Sequence, residues 1–295
     1  MRSSHSPNCI FLMRTLELYN RFHGFGLTQL TLNLMFYLLK LSLFLLITVP
    51  AAVLTILFGL FDAHGKSAYR LSQLWTALLL RLGGVVLKVT GSEHIDPSQQ
   101  YVFMVNHQSN LDIPILVQSL RSFQLRWIAK RELLWIPFFC WAMWASRHIT
   151  VDRADPLDAI RSLKRAKERI AAGISIVVFP EGTRSRDGKL LRFKKGGFLL
   201  AAQSSRPIVP ITINGSRQVL PAGAWHLRSG TIEVTISQPI AADGFGPGTL
   251  RHLSNQVRQA IERQLRSAPP VHLTSPGADS DQGIMSNSSL ERRSI

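Results

Sequence analysis

Leu41 to Phe61 form a run of 21 residues without one charged side chain, and no other segment limits the chain's options as much. At about 1.5 Å per residue, a helix of that length reaches across the roughly 30 Å hydrocarbon core of a bilayer. Lys40 precedes the run, and Asp62, His64 and Lys66 follow it. A cleaved signal peptide does not fit, because the run is too long, starts too far from Met1 and lacks a clear small-residue cleavage site. Pro50 and Gly59 interrupt the run, so a kinked or re-entrant helix fits as well as a straight span. Basic residues flank both ends, which leaves orientation open.

The next segment differs in kind. Leu71, Leu74, Trp75, Leu78, Leu79 and Leu82 recur at helical spacing, with Arg70, Gln73 and Arg81 elsewhere around the helix. Such a helix either lies in a membrane interface or packs its apolar stripe on a core, and periodicity fits both. The chain then divides into an N-terminal extension at 1–33, a two-helix membrane-anchoring motif at 34–82, an αβ domain at 83–267 and a tail at 268–295. The tail is rich in Ser, Pro, Gly and Asp without hydrophobic periodicity, a composition expected to be disordered.

Within the domain, apolar runs at 85–89, 101–105, 123–129, 148–151, 174–179, 208–213 and 231–236 read as strands. Helical patterns lie near 112–120, 132–145, 155–172, 195–204 and 247–267. This alternation predicts an α/β fold, a mixed but largely parallel sheet flanked by helices. The 155–172 helix has the fullest signature: Asp155 as cap, Pro156 in the first turn, Asp158 at the positive end of the dipole and Gly173 beyond its end. Leu157, Ile160, Leu163 and Ile170 mark its expected buried stripe.

Two of the predicted strands lead into loops with chemistry in them. After 101–105 comes Asn106-His107-Gln108-Ser109-Asn110-Leu111-Asp112. On one continuous helix, residues five apart point about 140° away from each other. His107 and Asp112 therefore meet only if 108–111 form a turn, which Asn106, Ser109 and Asn110 permit. Asp112 would then accept the Nδ1–H of His107 and leave Nε2 free to take a proton from a hydroxyl. A polar loop that only caps a helix satisfies the same short pattern. No Gly-x-Ser-x-Gly elbow is present, and nothing marks Ser109 as a nucleophile.

After 174–179 comes Pro180-Glu181-Gly182-Thr183-Arg184-Ser185. Gly182 lets backbone amides approach an anion, while Thr183 and Arg184 add a hydroxyl and a guanidinium fork. Glu181 is better suited to loop amides or a substrate hydroxyl than to phosphate. Six basic residues and one acid, Asp187, lie between Arg184 and Lys195. Lys130 and Arg153 also follow strand-like runs and can point the same way. Most charge runs are solvated loops, but the strand–loop placement of all three groups favours a phosphate site.

The bulk charge fits that reading. Thirty-four Lys and Arg against 18 Asp and Glu leave a formal +16, an excess that attracts nucleic acid or an anionic membrane. A non-catalytic binding module would explain the charge but would not require His107 and Asp112 together. Cys9 and Cys140 match no metal spacing and suggest no disulfide scaffold.

With these blocks in order, the chain resembles the bacterial 1-acyl-sn-glycerol-3-phosphate acyltransferases, within the glycerolipid acyltransferases. The 106–112 segment matches their H-x4-D block and 179–185 their third block. Asp152-Arg153 resembles the end of the second, and Ile208-Val209-Pro210-Ile211 the fourth. The segments 130–139 and 193–198 also resemble the family, and the match covers about residues 66–240. One departure is Arg147-His148, where the second block usually carries a glycine before its strand.

The resemblance implies an N-terminal two-helix motif on an αβ domain, and acyl transfer from acyl-CoA or acyl-acyl carrier protein to the sn-2 hydroxyl of lysophosphatidic acid. His107 and Asp112 would be catalytic, and Glu181, Gly182, Thr183, Arg184, Arg153 and Lys130 would bind substrate. No metal, redox cofactor or nucleic acid is implied. The setting would be the inner membrane, with the site facing the cytoplasm. The unusual Arg147-His148 leaves open the same chemistry on another lysolipid, such as a lyso-ornithine lipid. The Trp-rich stretch at 133–144 is a candidate acyl-groove lining, or else core.

Overall fold

The computed structural model describes residues 31–32, 34–35, 38–39, 41–135, 139–152, 154–224, 227–246 and 248–266. The predicted tail at 268–295 and most of the N-terminal extension lie outside them. Seven strands form one sheet: β1 (Val85–Thr90), β2 (Val102–Val105), β3 (Leu125–Lys130), β4 (Ile149–Val151), β5 (Ser175–Val178), β6 (Ile208–Asn214) and β7 (Gly230–Ile236). Their order is β1-β7-β6-β2-β5-β3-β4. Only β6 and β7 pair antiparallel, with Ile211 opposite Ile236, and every other neighbour is parallel. The α/β fold with a mixed, largely parallel sheet is therefore as expected.

Helices α1 (Leu41–Phe61) and α2 (Lys66–Leu82) precede the sheet. Within it follow α3 (Asp112–Ser119), α4 (Phe139–Ala145), α5 (Pro156–Ala171), α6 (Gly196–Ser204), α7 (Ser216–Val219) and α8 (Leu250–Gln264). β2 is buried along its whole length, and alternate residues divide between two cores. Phe103 and Val105 pack with Tyr69 and Leu80 of α2 and with Ile115 and Leu116 of α3. Val102 and Met104 pack with Ile170 of α5, Phe198 of α6 and Leu253 and Val257 of α8. One helical layer thus carries α2 and α3, and the other carries α5, α6 and α8.

α1 is long and apolar enough to cross a membrane, and only 11 % of its most apolar window is buried. On α2, Leu74, Leu78 and Leu82 are exposed, whereas Ala68, Tyr69, Thr76 and Leu80 are buried. The α2 side facing α3 is partly polar: Gln118 donates to Gln73 O and to Thr76 Oγ1. The leucine stripe of α2 therefore points away from the core, as an interfacial helix would place it. Trp75 Nε1–H donates to Thr48 of α1 at 3.1 Å, and Gly59 abuts Ala145 so closely that a Cβ there would lie 2.5 Å from the Ala145 Cβ. Arg126 is fully buried and donates to His64 O between α1 and α2 and to Leu125 O, both at 2.7 Å. Its guanidinium lies over the Tyr69 ring, and burial pulls its pKa down to about 10, so it stays charged at neutral pH.

Three local expectations change. The predicted helix over 132–145 begins as a 3-10 turn at Arg131–Trp135 and resumes as α4; Pro137, in the stretch between them outside the described residues, supplies no amide donor to a continuous helix. Trp135, Trp141 and Trp144 are exposed rather than core. On α5 the buried side chains are Asp158, Ser162, Ala166 and Ile170, while Leu157 and Ile160 are 62 % and 64 % exposed. Small Ser162 and Ala166 let α5 approach the sheet closely, which turns the two apolar side chains of its first turns outward.

Candidate functional site

β2, β6, β5, β3 and β4 share one direction, so the loops that leave them gather at one sheet edge. Functional groups of open α/β sheets collect at such an edge. The loop after β2 is pinned by Asn106, whose side-chain amide donates to Ile213 O at 2.9 Å while its Oδ1 accepts from Ile213 N–H at 2.8 Å. Residues 108–111 turn back as the His107–Asp112 geometry requires, and α3 begins at Asp112.

Asp112 is fully buried. Its Oδ2 lies 2.7 Å from His107 Nδ1 and accepts the amides of Gln108 and Ser109 at 2.7 and 2.9 Å. An oxygen that already accepts two N–H groups leaves Nδ1 as the donor, which places the free lone pair of the imidazole on Nε2. The ring stacks on Phe179, with centroids 3.9 Å apart and planes at 15°. Sixteen per cent of the His107 side chain is exposed, so the ring is not sealed from solvent. The Ser109 hydroxyl is taken up by Leu220 O at 2.7 Å and by Leu111 N–H at 3.1 Å, which gives it a structural place in the turn.

The loop after β5 is latched onto this turn. Buried Glu181 accepts the His107 amide on Oε1 and the Leu191 amide on Oε2, each at 2.8 Å. Burial raises its pKa, against the lowering effect of those two amides and of His107. Ser185 N–H donates to His107 O at 2.8 Å, and Arg184 Nη1 donates to Asn110 Oδ1 at 2.7 Å. Gly182 adopts φ 72°, a left-handed conformation that suits glycine. Thr183, Arg186, Lys189, Arg192, Lys194 and Lys195 are exposed around it. Asp187 accepts the Lys189 amide, which lowers its pKa.

The structure thus brings His107, Asp112, Glu181, Gly182, Thr183 and Arg184 into one pair of loops. Lys130 ends β3 at the same edge, but β5 lies between β3 and β2, and its ammonium pairs with Glu132 at 2.6 Å. Arg153 lies outside the described residues. Asn106, Gln108, Phe179 and Asn110 also shape the site. All four lie in the two loop motifs of the sequence, but the partners of their side chains are 72 or more residues away, so the contacts they make are not written in local spacing.

The chain matches the Acyltransferase family over residues 86–214, a span that includes both loops. A 1-acyl-sn-glycerol-3-phosphate acyltransferase of Pseudomonas aeruginosa is 32 % identical over 191 residues, 64 % of this chain and 73 % of that protein. The protein of the same name from Limnanthes douglasii is 34 % identical over 193 residues, 65 % of this chain and 66 % of that one. The human alpha form is 35 % identical over 61 % of this chain and 64 % of its own length, so the chain spans just under two thirds of such plant and animal relatives. The crystal structure of the 1-acyl-sn-glycerophosphate (LPA) acyltransferase PlsC from Thermotoga maritima superposes with a TM-score of 0.61 at 28 % identity, covering 76 % of this chain and 94 % of that one. By motif order, fold and this similarity, the chain belongs to the 1-acyl-sn-glycerol-3-phosphate acyltransferase family.

Proposed function

We propose that the protein transfers an acyl chain from acyl-CoA or acyl-acyl carrier protein to the sn-2 hydroxyl of lysophosphatidic acid, forming phosphatidic acid. The observation that carries this reading is the 2.7 Å contact between His107 Nδ1 and the buried Asp112 carboxylate, on a turn latched to the Arg184 loop. Nε2 takes the hydroxyl proton as the alcohol oxygen attacks the thioester carbonyl carbon. The tetrahedral intermediate then collapses, the C–S bond breaks, and the thiolate recovers the proton from the imidazolium. Asp112 holds the ring and balances its transient charge. A thioester leaves readily enough that neither a covalent intermediate nor a metal or redox cofactor is needed.

Arg184 keeps further N–H donors beyond the one given to Asn110, and Gly182 gives an anion close access to the backbone. These groups, with Thr183, hold the acceptor phosphate, and Lys130, at the end of β3 on the same edge, adds positive charge; Arg153, which follows Asp152 in the sequence, is proposed to do the same. Both Glu181 oxygens already receive amides, which supports a positioning role over substrate contact. The exposed apolar faces of α1 and α2 suit a lipid surface. We place it at the inner membrane with the site toward the cytoplasm, where thioester donors are made. The relatives' names favour the glycerophosphate acceptor over an ornithine lipid. The test is turnover of lysophosphatidic acid with either donor by wild type and His107→Ala side by side. Phosphatidic acid from wild type alone is expected; none from either protein, or equal amounts from both, overturns the reading.

A further inference from the structure

A groove of about 540 Å³ lies between α5 and α6, on the layer opposite α2 and α3. Ile160, Leu163, Ala171 and Leu199 form its apolar lining, Lys164 and Lys167 its basic rim, and no residue of the His107 turn belongs to it. Leu157 and Ile160, three residues apart on one face of α5, are both more than half exposed and continue the apolar lining of this groove. Arg161, Lys164 and Lys167 are exposed on the same helix, and none of the three makes an ion pair among the described residues. Their sole nearby counter-charge on the groove wall is Glu168. Positions 157, 160, 164, 167 and 171 follow the helical repeat, so apolar and basic side chains form one stripe.

We propose that this stripe docks an acidic amphipathic helix of a soluble protein, namely the carrier that delivers the acyl chain as a thioester. The inference rests on the function proposed above and assigns the donor's binding surface. Charge complementarity selects an acidic partner, and the apolar floor selects one with a hydrophobic face. A bilayer is the weaker occupant, because the exposed apolar faces suited to it lie on α1 and on α2, and α2 packs on the opposite layer of the sheet. The position also suits delivery. α5 starts just after β4, at the sheet edge where His107 lies; β4 is three strand positions from β2, roughly 15 Å, and Lys164 and Lys167 lie roughly 12–17 Å along α5 from that edge. A carrier seated on α5 could therefore send a flexible thioester arm over the edge to the histidine.

The test compares wild type with the double variant Lys164→Glu, Lys167→Glu and, separately, with Ile160→Asp. All three positions are exposed, and thermal unfolding checks that the variants fold. Steady-state rates with lysophosphatidic acid are measured with acyl-acyl carrier protein and with acyl-CoA. Equilibrium binding of holo-carrier protein lacking an acyl chain is measured independently of turnover. The expected result is at least a tenfold rise in KM for the carrier donor and a matching loss of carrier binding, with acyl-CoA kinetics within twofold of wild type. Equal carrier binding by wild type and variants overturns the proposal, as does no binding at all, a parallel loss with both donors, or weakened binding to anionic vesicles in its place. Failure of wild type with every donor would strike the proposed function, and carrier binding would still decide the docking surface.

Discussion

Replacing Asp112 with Asn separates the charge of this carboxylate from its shape. In the wild type, Oδ2 receives three donors, from His107 Nδ1 and from the amides of Gln108 and Ser109, while Oδ1 is buried with no partner among the described residues. The Asn oxygen must therefore take the Oδ2 place, since the opposite flip would set an NH2 against three N–H donors. Its NH2 then fills the Oδ1 position as a buried donor without an acceptor, at a cost of about 1–3 kcal/mol. The three bonds also weaken from charge-assisted to neutral, about 1 kcal/mol each, but the cost of burying a carboxylate disappears and offsets much of this. Stability should fall by only about 1–3 kcal/mol, a few degrees in Tm for a domain of this size. Catalysis has no such compensation, because the imidazolium formed during proton transfer loses its counter-charge. A positioned base contributes roughly 10²–10⁴-fold, or about 3–5 kcal/mol, and kcat should drop within that range. The assay is kcat and KM for lysophosphatidic acid at saturating acyl-CoA, with thermal unfolding on the same preparation. A folded variant that keeps more than a tenth of wild-type kcat, or that loses only in KM, would refute the reasoning.

Arg147 adopts φ 55°, a left-handed conformation costing a non-glycine residue roughly 1–2 kcal/mol, and it holds that conformation while donating to Gly59 O at 3.3 Å and covering the Trp144 ring at 4.7 Å. Arg147→Ala keeps the strain and loses both contacts, whereas Arg147→Gly relieves the strain, so thermal unfolding should rank Gly above Ala by about 1 kcal/mol; the reverse order refutes the strain. Gly59→Leu should part α1 from α4 and destabilise the protein by about 1–3 kcal/mol, because even a Cβ would lie 2.5 Å from Ala145; an unchanged Tm in detergent counts against that contact. Desolvation, helped by the nearby Arg126 guanidinium, pushes His148 down to about 3 from its ordinary 6.5. Between those values the unfolded chain binds a proton that the folded chain refuses, so stability falls as pH drops, by at most about 1.4 kcal/mol per unit. His148→Gln keeps an acceptor for Trp127 N–H and should flatten that acid limb in urea midpoints taken at pH 7, 6 and 5; an unaltered slope would place the acid sensitivity elsewhere.

The strands were legible because a sheet covered on both faces needs continuous apolar runs, as β2 and β5 show along their whole lengths. An apolar run carries no direction, however, so the reversal of β7 against β6 could not be read from it. The His107–Asp112 pair was legible because it is local and its turn is written in Asn and Ser. The bonds from Glu181 to the His107 amide and from Asn106 to Ile213 were not, since they join residues 74 and 107 positions apart. α5 failed in a more informative way. Hydrophobic periodicity assumes that apolar side chains turn inward, which holds for Ile170 and Leu163, yet the first turns of this helix bury Asp158 and Ser162 and expose Leu157 and Ile160. The outward turn of these side chains has two causes: close approach to the sheet demands small residues inside, and among the described residues nothing covers the large ones outside. A local rule broken without compensation among the described residues points to a compensating partner, and it is broken on the same helix face that carries Lys164 and Lys167, which make no ion pair among those residues. The apolar periodicity of α5 therefore carries two signals: Leu163 and Ile170 pack on its own core, whereas Leu157 and Ile160 are better read as complementarity to another molecule.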